Sequence, residues 1–256
     1  MDTARLRILA TADIHSPRYL LEFVSALNKH KGECSSINLV VFAGDMVYKG
    51  RVEALKPVLD AIRSTCGPKP IAAVFGNEEF IGLEDEFRRR YPEVDWLDDE
   101  YKVYDIEGLK VAVVGTRGSL ERPTRWQRRK MPWITRVYAE RVKRVEKLLL
   151  EARGKADVVI IVSHYVLTWK TLDGEPREIW PEMGHRGFEG VLKRAKPDAA
   201  IHGHAHKSRV LETRVDSVPV YNVAFPARRD VAIIEVMARK APGAEGVEET
   251  GGLQSS

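Results

Sequence analysis

The chain has 256 residues, 44% of them hydrophobic and 30% charged, which is enough apolar material for one sizeable domain or at most two small ones. The net charge of +4 is a slight excess of 41 basic over 37 acidic residues, so charge alone does not argue for a nucleic-acid partner. No apolar run approaches the ~20 residues of a membrane span and no signal peptide precedes the first strand-like run, so a cytoplasmic protein with no membrane contact is expected.

Residues 6–10 form a short apolar run that leads into Thr11-Ala12-Asp13-Ile14-His15, a strand followed by a polar loop. Residues 17–29 carry Leu20, Leu21, Val24 and Leu27 at helical spacing, with Ser16 expected as N-cap. Cys34 and Cys66 fit neither a zinc nor a Cys-x-x-Cys pattern and are expected as free thiols. Residues 37–43 read as a buried strand ending in Gly44-Asp45. A helix is expected within 52–65, with Pro57 in its first turn or at a kink. Residues 71–75 read as a third strand, ending in Gly76-Asn77-Glu78-Glu79, and a further helix is expected over 83–90.

The rhythm then changes. Residues 101–106 alternate, Glu107-Gly108 punctuates and 111–114 are apolar, which predicts a hairpin. Residues 116–136 are basic and aromatic without strong periodicity. The clearest helix covers 137–152, and 158–162 form a buried strand ending in Ser163-His164. A long loop over 165–185 contains Asp173-Gly174-Glu175-Pro176, which reads either as an ordinary turn or as a flap over a cleft. A helix near 188–194 precedes a strand ending in His202-Gly203-His204-Ala205-His206. Residues 210–215, 218–223 and 231–236 read as a final antiparallel set, and 238–256 as a disordered tail after a domain of 1–237. Strands alternating with helices, then hairpins, predict an α/β layered domain with a mixed sheet.

Five strands therefore end in potential ligands: Asp13 and His15, Asp45, Asn77, His164, and His204 with His206. In α/β sheets, sites form at the carboxyl ends of strands. Each residue alone has an ordinary reading as a cap, a turn former or a satisfied core histidine. Together they supply hard oxygen and imidazole donors without thiolate, which suits a pair of divalent metals that assist an in-line displacement and not a structural zinc site.

In this order Asp13-x-His15, Gly44-Asp45, Gly76-Asn77, Ser163-His164 and Gly203-His204-x-His206 resemble the calcineurin-like metallophosphoesterase superfamily, most similarly the Icc-related predicted phosphoesterases. The resemblance implies a four-layer sandwich of two mixed β-sheets flanked by helices. It implies that Asp13, His15 and His206 bind one metal, that Asn77, His164 and His204 bind a second, and that Asp45 bridges them. Mn, Fe, Zn, Ni or Co all suit these donors. Hydroxide held by the metals would attack phosphorus directly, with Asn77, His164 and Asp45 as the catalytic core, in a reaction most like a phosphodiesterase's. Where many relatives read Gly-Asn-His, this chain has Glu78, so the imidazole that helps protonate a leaving group is absent.

Between 117 and 136 the chain interleaves Arg117, Arg122, Arg125, Arg128, Arg129, Lys130 and Arg136 with Trp126 and Trp133. Guanidinium grips phosphate and indole stacks on bases. Arg117, Arg125 and Arg128, with Asn77 and Glu78, are therefore candidate substrate contacts, for a nucleotide-like ester in particular. The bland alternative is a solvated loop or an oligomer interface. Two other functional classes stay open: a metal-free scaffold on the same fold, and, less favoured, a nucleic-acid-binding protein using this segment.

Overall fold

A computed structural model describes residues 5–238 of the chain. The tail expected over 238–256 lies, apart from Ala238, outside the described residues. The first half runs β1 (Arg5–Thr11), α1 (Leu20–Lys29), β2 (Leu39–Ala43), α2 (Lys56–Cys66), β3 (Ile71–Val74), α3 (Glu84–Arg90) and β4 (Val94–Trp96). β1 to β4 pair successively in parallel. Parallel neighbours need a crossover, and the helices supply it.

The second half begins with the expected hairpin, β5 (Glu100–Ile106) and β6 (Leu109–Thr116). It continues with α4 (Arg125–Lys130), α5 (Ile134–Arg153), β7 (Val158–Ser163), α6 (Gly187–Ala195) and β8 (Ala199–His202). β9 (Glu212–Val215), β10 (Val218–Asn222), α7 (Phe225–Arg228) and β11 (Ala232–Met237) follow. The strand orders are β11-β1-β2-β3-β4 in one sheet and β5-β6-β7-β8-β10-β9 in the other.

The pleat assigns the core. Leu6, Ile8 and Ala10 of β1 pack between the sheets against Val111 and Val113 of β6 and Val158, Ile160 and Val162 of β7. The alternate residue Leu9 joins Phe23 and Leu27 of α1 and Val58 and Ile62 of α2 on the outside of the first sheet. Val159 and Ile161 join Val145 and Leu149 of α5 and Val191 and Leu192 of α6 outside the second. The layers are thus helix, sheet, sheet, helix. Central strands buried on both faces explain why residues 158–162 read as one apolar run rather than an alternation.

Four expectations change. Cys34 and Cys66 are joined in a disulfide, not free; it ties the turn after α1 to the end of α2. The last three strands are not one antiparallel set: β10 lies parallel to β8 and antiparallel to β9, whereas β11 crosses to the first sheet and lies antiparallel to β1. A period of two marks a strand but not its partner. Residues 116–136 contain α4, closed by a capping box between Thr124 and Gln127, and the first turn of α5. Ser16 does not cap α1, which starts at Leu20 after Tyr19.

Candidate metal centre

The two sheets bring their strand ends to one place. The loops after β1, β2 and β3 carry Asp13 and His15, Asp45, and Asn77; those after β7 and β8 carry His164, and His204 with His206. The ends belong to two facing sheets and together form one edge of the sandwich. Asp13, His15, Asp45 and His204 have positive φ, at 59°, 44°, 52° and 70°. This left-handed backbone is uncommon outside glycine and clusters at functional sites. Two glycines permit the close approach of the loops. A Cβ on Gly203 would lie 2.6 Å from the Asp13 carboxylate, and one on Gly76 would collide with Asp45.

Two ligand groups form around the carboxylates: Asp13 with His15 and His206, and Asp13 with Asp45 and His164. His206 Nε2 donates to Asp13 Oδ1 at 2.8 Å, and the His204 amide donates to Asp13 Oδ2 at 2.9 Å. His15 Nε2 lies 3.9 Å from Asp13 Oδ1 and 4.0 Å from Asp45 Oδ2. His164 Nε2 lies 3.6 Å from Asp45 Oδ2 and 3.0 Å from Asn77 Oδ1. The His204 ring packs against that of His164, with centroids 4.9 Å apart. The structure thus gathers all seven residues of the resemblance's ligand set; Asn77 and His204 flank the second group.

The donor chemistry fits divalent cations. Burial holds His164 neutral, with its pKa lowered to about 4. Its Nδ1–H faces the Ala43 carbonyl at 3.1 Å, so Nε2 is left with a lone pair. That lone pair, Asn77 Oδ1 and Asp45 Oδ2 then face one another, a convergence of acceptors that a cation satisfies. His15 Nδ1 is likewise buried without a partner. Burial, then the charges of Glu79 and Asp13, push the Asp45 carboxyl well up; a cation reverses this. Burial opposes ionisation of Asp13, but the adjoining His206 outweighs it, and Asp13 lies below the usual carboxylate range. His206 is raised, because Asp13 offsets its own burial.

Sequence reasoning missed Glu79. Its carboxylate is buried and accepts three backbone N–H groups: Asp45 at 2.8 Å, Gly76 at 2.7 Å and Val47 at 3.1 Å. It therefore clasps the Asp45 loop to the Asn77 loop. Two consecutive acids after Gly76-Asn77 were the available signal. Glu78 makes a neighbouring clasp: its carboxylate accepts the Lys49 amide at 2.6 Å and its own amide donates to Asp45 Oδ1 at 2.7 Å.

The arginines of the basic segment are placed differently from one another, and only Arg117 of the three candidate contacts lines the cavity beside the site. Arg117 is buried, donating to the Gly76 and Glu79 carbonyls and pairing with Glu84 at 2.9 Å. Its charge supports the Asn77 loop from behind. Arg128 donates to the Pro123 carbonyl in its own turn, and neither Arg125 nor Arg128 lines the cavity beside the site. A helix shows its residues by face, and here the cavity receives the apolar side. The 173–175 loop is packed: Glu175 accepts the Lys207 amide at 2.7 Å, and the Asp173 carbonyl accepts the Arg209 amide at 2.8 Å.

Comparison with known families matches residues 6–208 to the calcineurin-like phosphoesterases. The chain belongs to this family of metal-dependent phosphoester hydrolases. Among solved structures it is similar to the phosphopantetheinyl hydrolase PptH of Mycobacterium tuberculosis, with 16% identity, a TM-score of 0.62, and 91% of this chain and 97% of that one covered. It is also similar to TT1561 of Thermus thermophilus, at 13% identity, TM-score 0.55 and coverage of 90% and 99%. A 5'-nucleotidase precursor from the same organism has 14% identity and TM-score 0.55, covering 92% of this chain and 55% of its own. At these identities the likeness concerns the fold. A search of curated proteins found no match. Among the described residues no helix is long and apolar enough to cross a membrane.

Proposed function

We propose that the protein is a binuclear phosphodiesterase. The observation that supports this most is the meeting at Asp13 of two groups of potential ligands, the second of which contains Asp45. In this reading Asp13, His15 and His206 would hold one divalent cation, Asn77, His164 and His204 would hold the other, and Asp45 would serve both. Such cations neutralise charge on a phosphoryl group and make hydroxide available near neutral pH. The chain does the rest. Burial keeps His164 and His204 in the neutral, ligating form. Glu79 and Arg117 hold the Asn77 loop in register with Asp45. Glu78 stands where many relatives carry histidine, and its carboxylate is tied to Lys49. No imidazole is there to protonate a leaving group or to meet the second charge of a phosphomonoester. A diester monoanion with a good leaving group suits such a site.

The test is a screen of mono- and diesters with graded leaving groups, before and after chelation. Metal-dependent hydrolysis that favours activated diesters is expected. Undiminished activity in chelator would refute the metal reading. Rates indifferent to leaving-group pKa, with chemistry rate-limiting, would refute the account of Glu78.

A further inference from the structure

A cavity of about 1020 Å³ opens directly beside the candidate centre, with Asn77 and His204 in its wall. It is large enough for a drug-sized group. Its other wall comes from the loop after β3 and from α4, α5 and their connection: Phe80, Ile81, Trp126, Met131, Trp133 and Val137. Phe80, Ile81, Trp126 and Trp133 are 46%, 57%, 60% and 53% exposed. They make up half of the eight large hydrophobic side chains exposed among the described residues. Their concentration on one cavity beside one site distinguishes them from scattered surface apolar residues.

The charged groups of the cavity are committed to the protein. Arg117 pairs with Glu84, Arg141 with Asp99 at 2.7 Å, and Glu182 with Arg122 at 3.0 Å. The remaining one, Asp98, is an acid that burial pushes up. The wall therefore offers no uncommitted cation to a second phosphate, and it offers a large apolar surface to an uncharged group.

We infer that this cavity receives an apolar substituent of the substrate, so that the protein acts on a hydrophobic phosphoester rather than on a polyphosphate or nucleotide. The inference rests on the phosphoesterase reading. It takes the phosphoryl group to lie against Asn77 and His204, and an alkyl or aryl substituent to extend under α4 and α5. Hydrolysis remains ordinary: water adds to phosphorus, one P–O ester bond breaks, and the leaving oxygen takes up a proton.

The test uses the full-length, metal-loaded protein and two probe series, both kept below their micellar concentrations. Calorimetry of methyl-, butyl-, octyl- and dodecylphosphonate reads binding without turnover. The matching alkyl p-nitrophenyl phosphates read kcat/KM. Affinity and kcat/KM are expected to rise with chain length, by up to roughly three- to fourfold per methylene where burial is complete. Trp126→Ala with Trp133→Ala, and separately Phe80→Ala, should flatten both slopes. Leu21→Ala, an exposed apolar residue on α1, should not. Flat slopes in the wild type with hydrolysis of the methyl ester would overturn the inference and leave the phosphoesterase standing. A rising affinity series with no ester cleaved would uphold the apolar subsite and overturn the hydrolase reading. If light scattering shows a dimer that the double tryptophan variant dissociates, and the wild-type slopes are flat, the face is a subunit contact and the inference fails.

Discussion

The ligand edge and the cavity wall beside it contrast sharply. At the edge, polar residues are buried at strand ends, in left-handed backbone, with acceptors facing acceptors. In the wall, large apolar residues stand partly exposed on the short helix α4, on its connection to α5 and on the loop after β3. The edge is held in an arrangement unfavourable for the protein alone and relieved by cations. The wall leaves water against apolar surface and is relieved by an apolar ligand. Both mark function because each violates, in opposite directions, the rule that polar groups face water and apolar groups do not.

The contrast breaks most severely at Asp45. Asp45→Asn should lower kcat/KM by about 10²–10³-fold, the scale of losing a principal electrostatic contact, and should lower occupancy of both metals by elemental analysis. In chelator the variant should be no less stable than the wild type, because burial and neighbouring acids already disfavour the Asp45 charge. Two metals retained after dialysis would remove the bridging role.

Glu79→Gln separates support from ligation. It takes one acceptor oxygen from a carboxylate that serves three backbone amides. A loss of about 1–3 kcal/mol in urea denaturation is expected, larger than the loss from Glu78→Ala. An unchanged unfolding midpoint would show that the clasp contributes nothing.

Asn77→Ala and Glu78→Ala compare adjacent positions with opposite roles. The first should reduce kcat/KM by about a hundredfold or more; the second should reduce it by less than about tenfold, the lower end for a group acting behind a ligand. Equal losses would make Glu78 a participant in chemistry.

The smallest effect lies in the cavity wall. Asp98 Oδ1 is buried without a hydrogen-bond partner, and burial raises the carboxyl. A raised folded pKa means that the native state holds its proton more tightly than the unfolded chain. Stability associated with Asp98 is then fully present below the usual carboxylate pKa and is lost as pH rises through the folded value. Asp98→Asn should therefore raise Tm at neutral pH and leave it nearly unchanged at a pH below about 3.9, the ordinary aspartate value. A Tm difference independent of pH would refute this.

The placement of most candidate ligands was legible because each sits at the end of its own apolar run. Asp13, Asp45, Asn77, His164 and His204 each follow a strand that the run announces, and strand ends in such folds converge. Glu79 was not legible, since its three partners lie on two loops that meet only in the fold. The placement of the arginines of 117–136 was not legible for a related reason. Composition records that Arg117 is cationic, but not that its guanidinium turns inward to Gly76, Glu79 and Glu84. β4, with three residues, was too short to carry a period.

The amino-acid sequence by itself determined most of the order of strands and helices, the burial of the central strands and which polar residues stand at the strand ends. These depend on local spacing and on short runs of side chains, which physical chemistry reads along the chain. Only the tertiary structure decided that β11 joins β1 in the first sheet, that Cys34 meets Cys66, and that α4 turns Trp126 rather than Arg125 and Arg128 toward the cavity. Those outcomes depend on contacts between residues far apart in sequence. A helix face or a strand edge has several chemically acceptable partners until packing selects one.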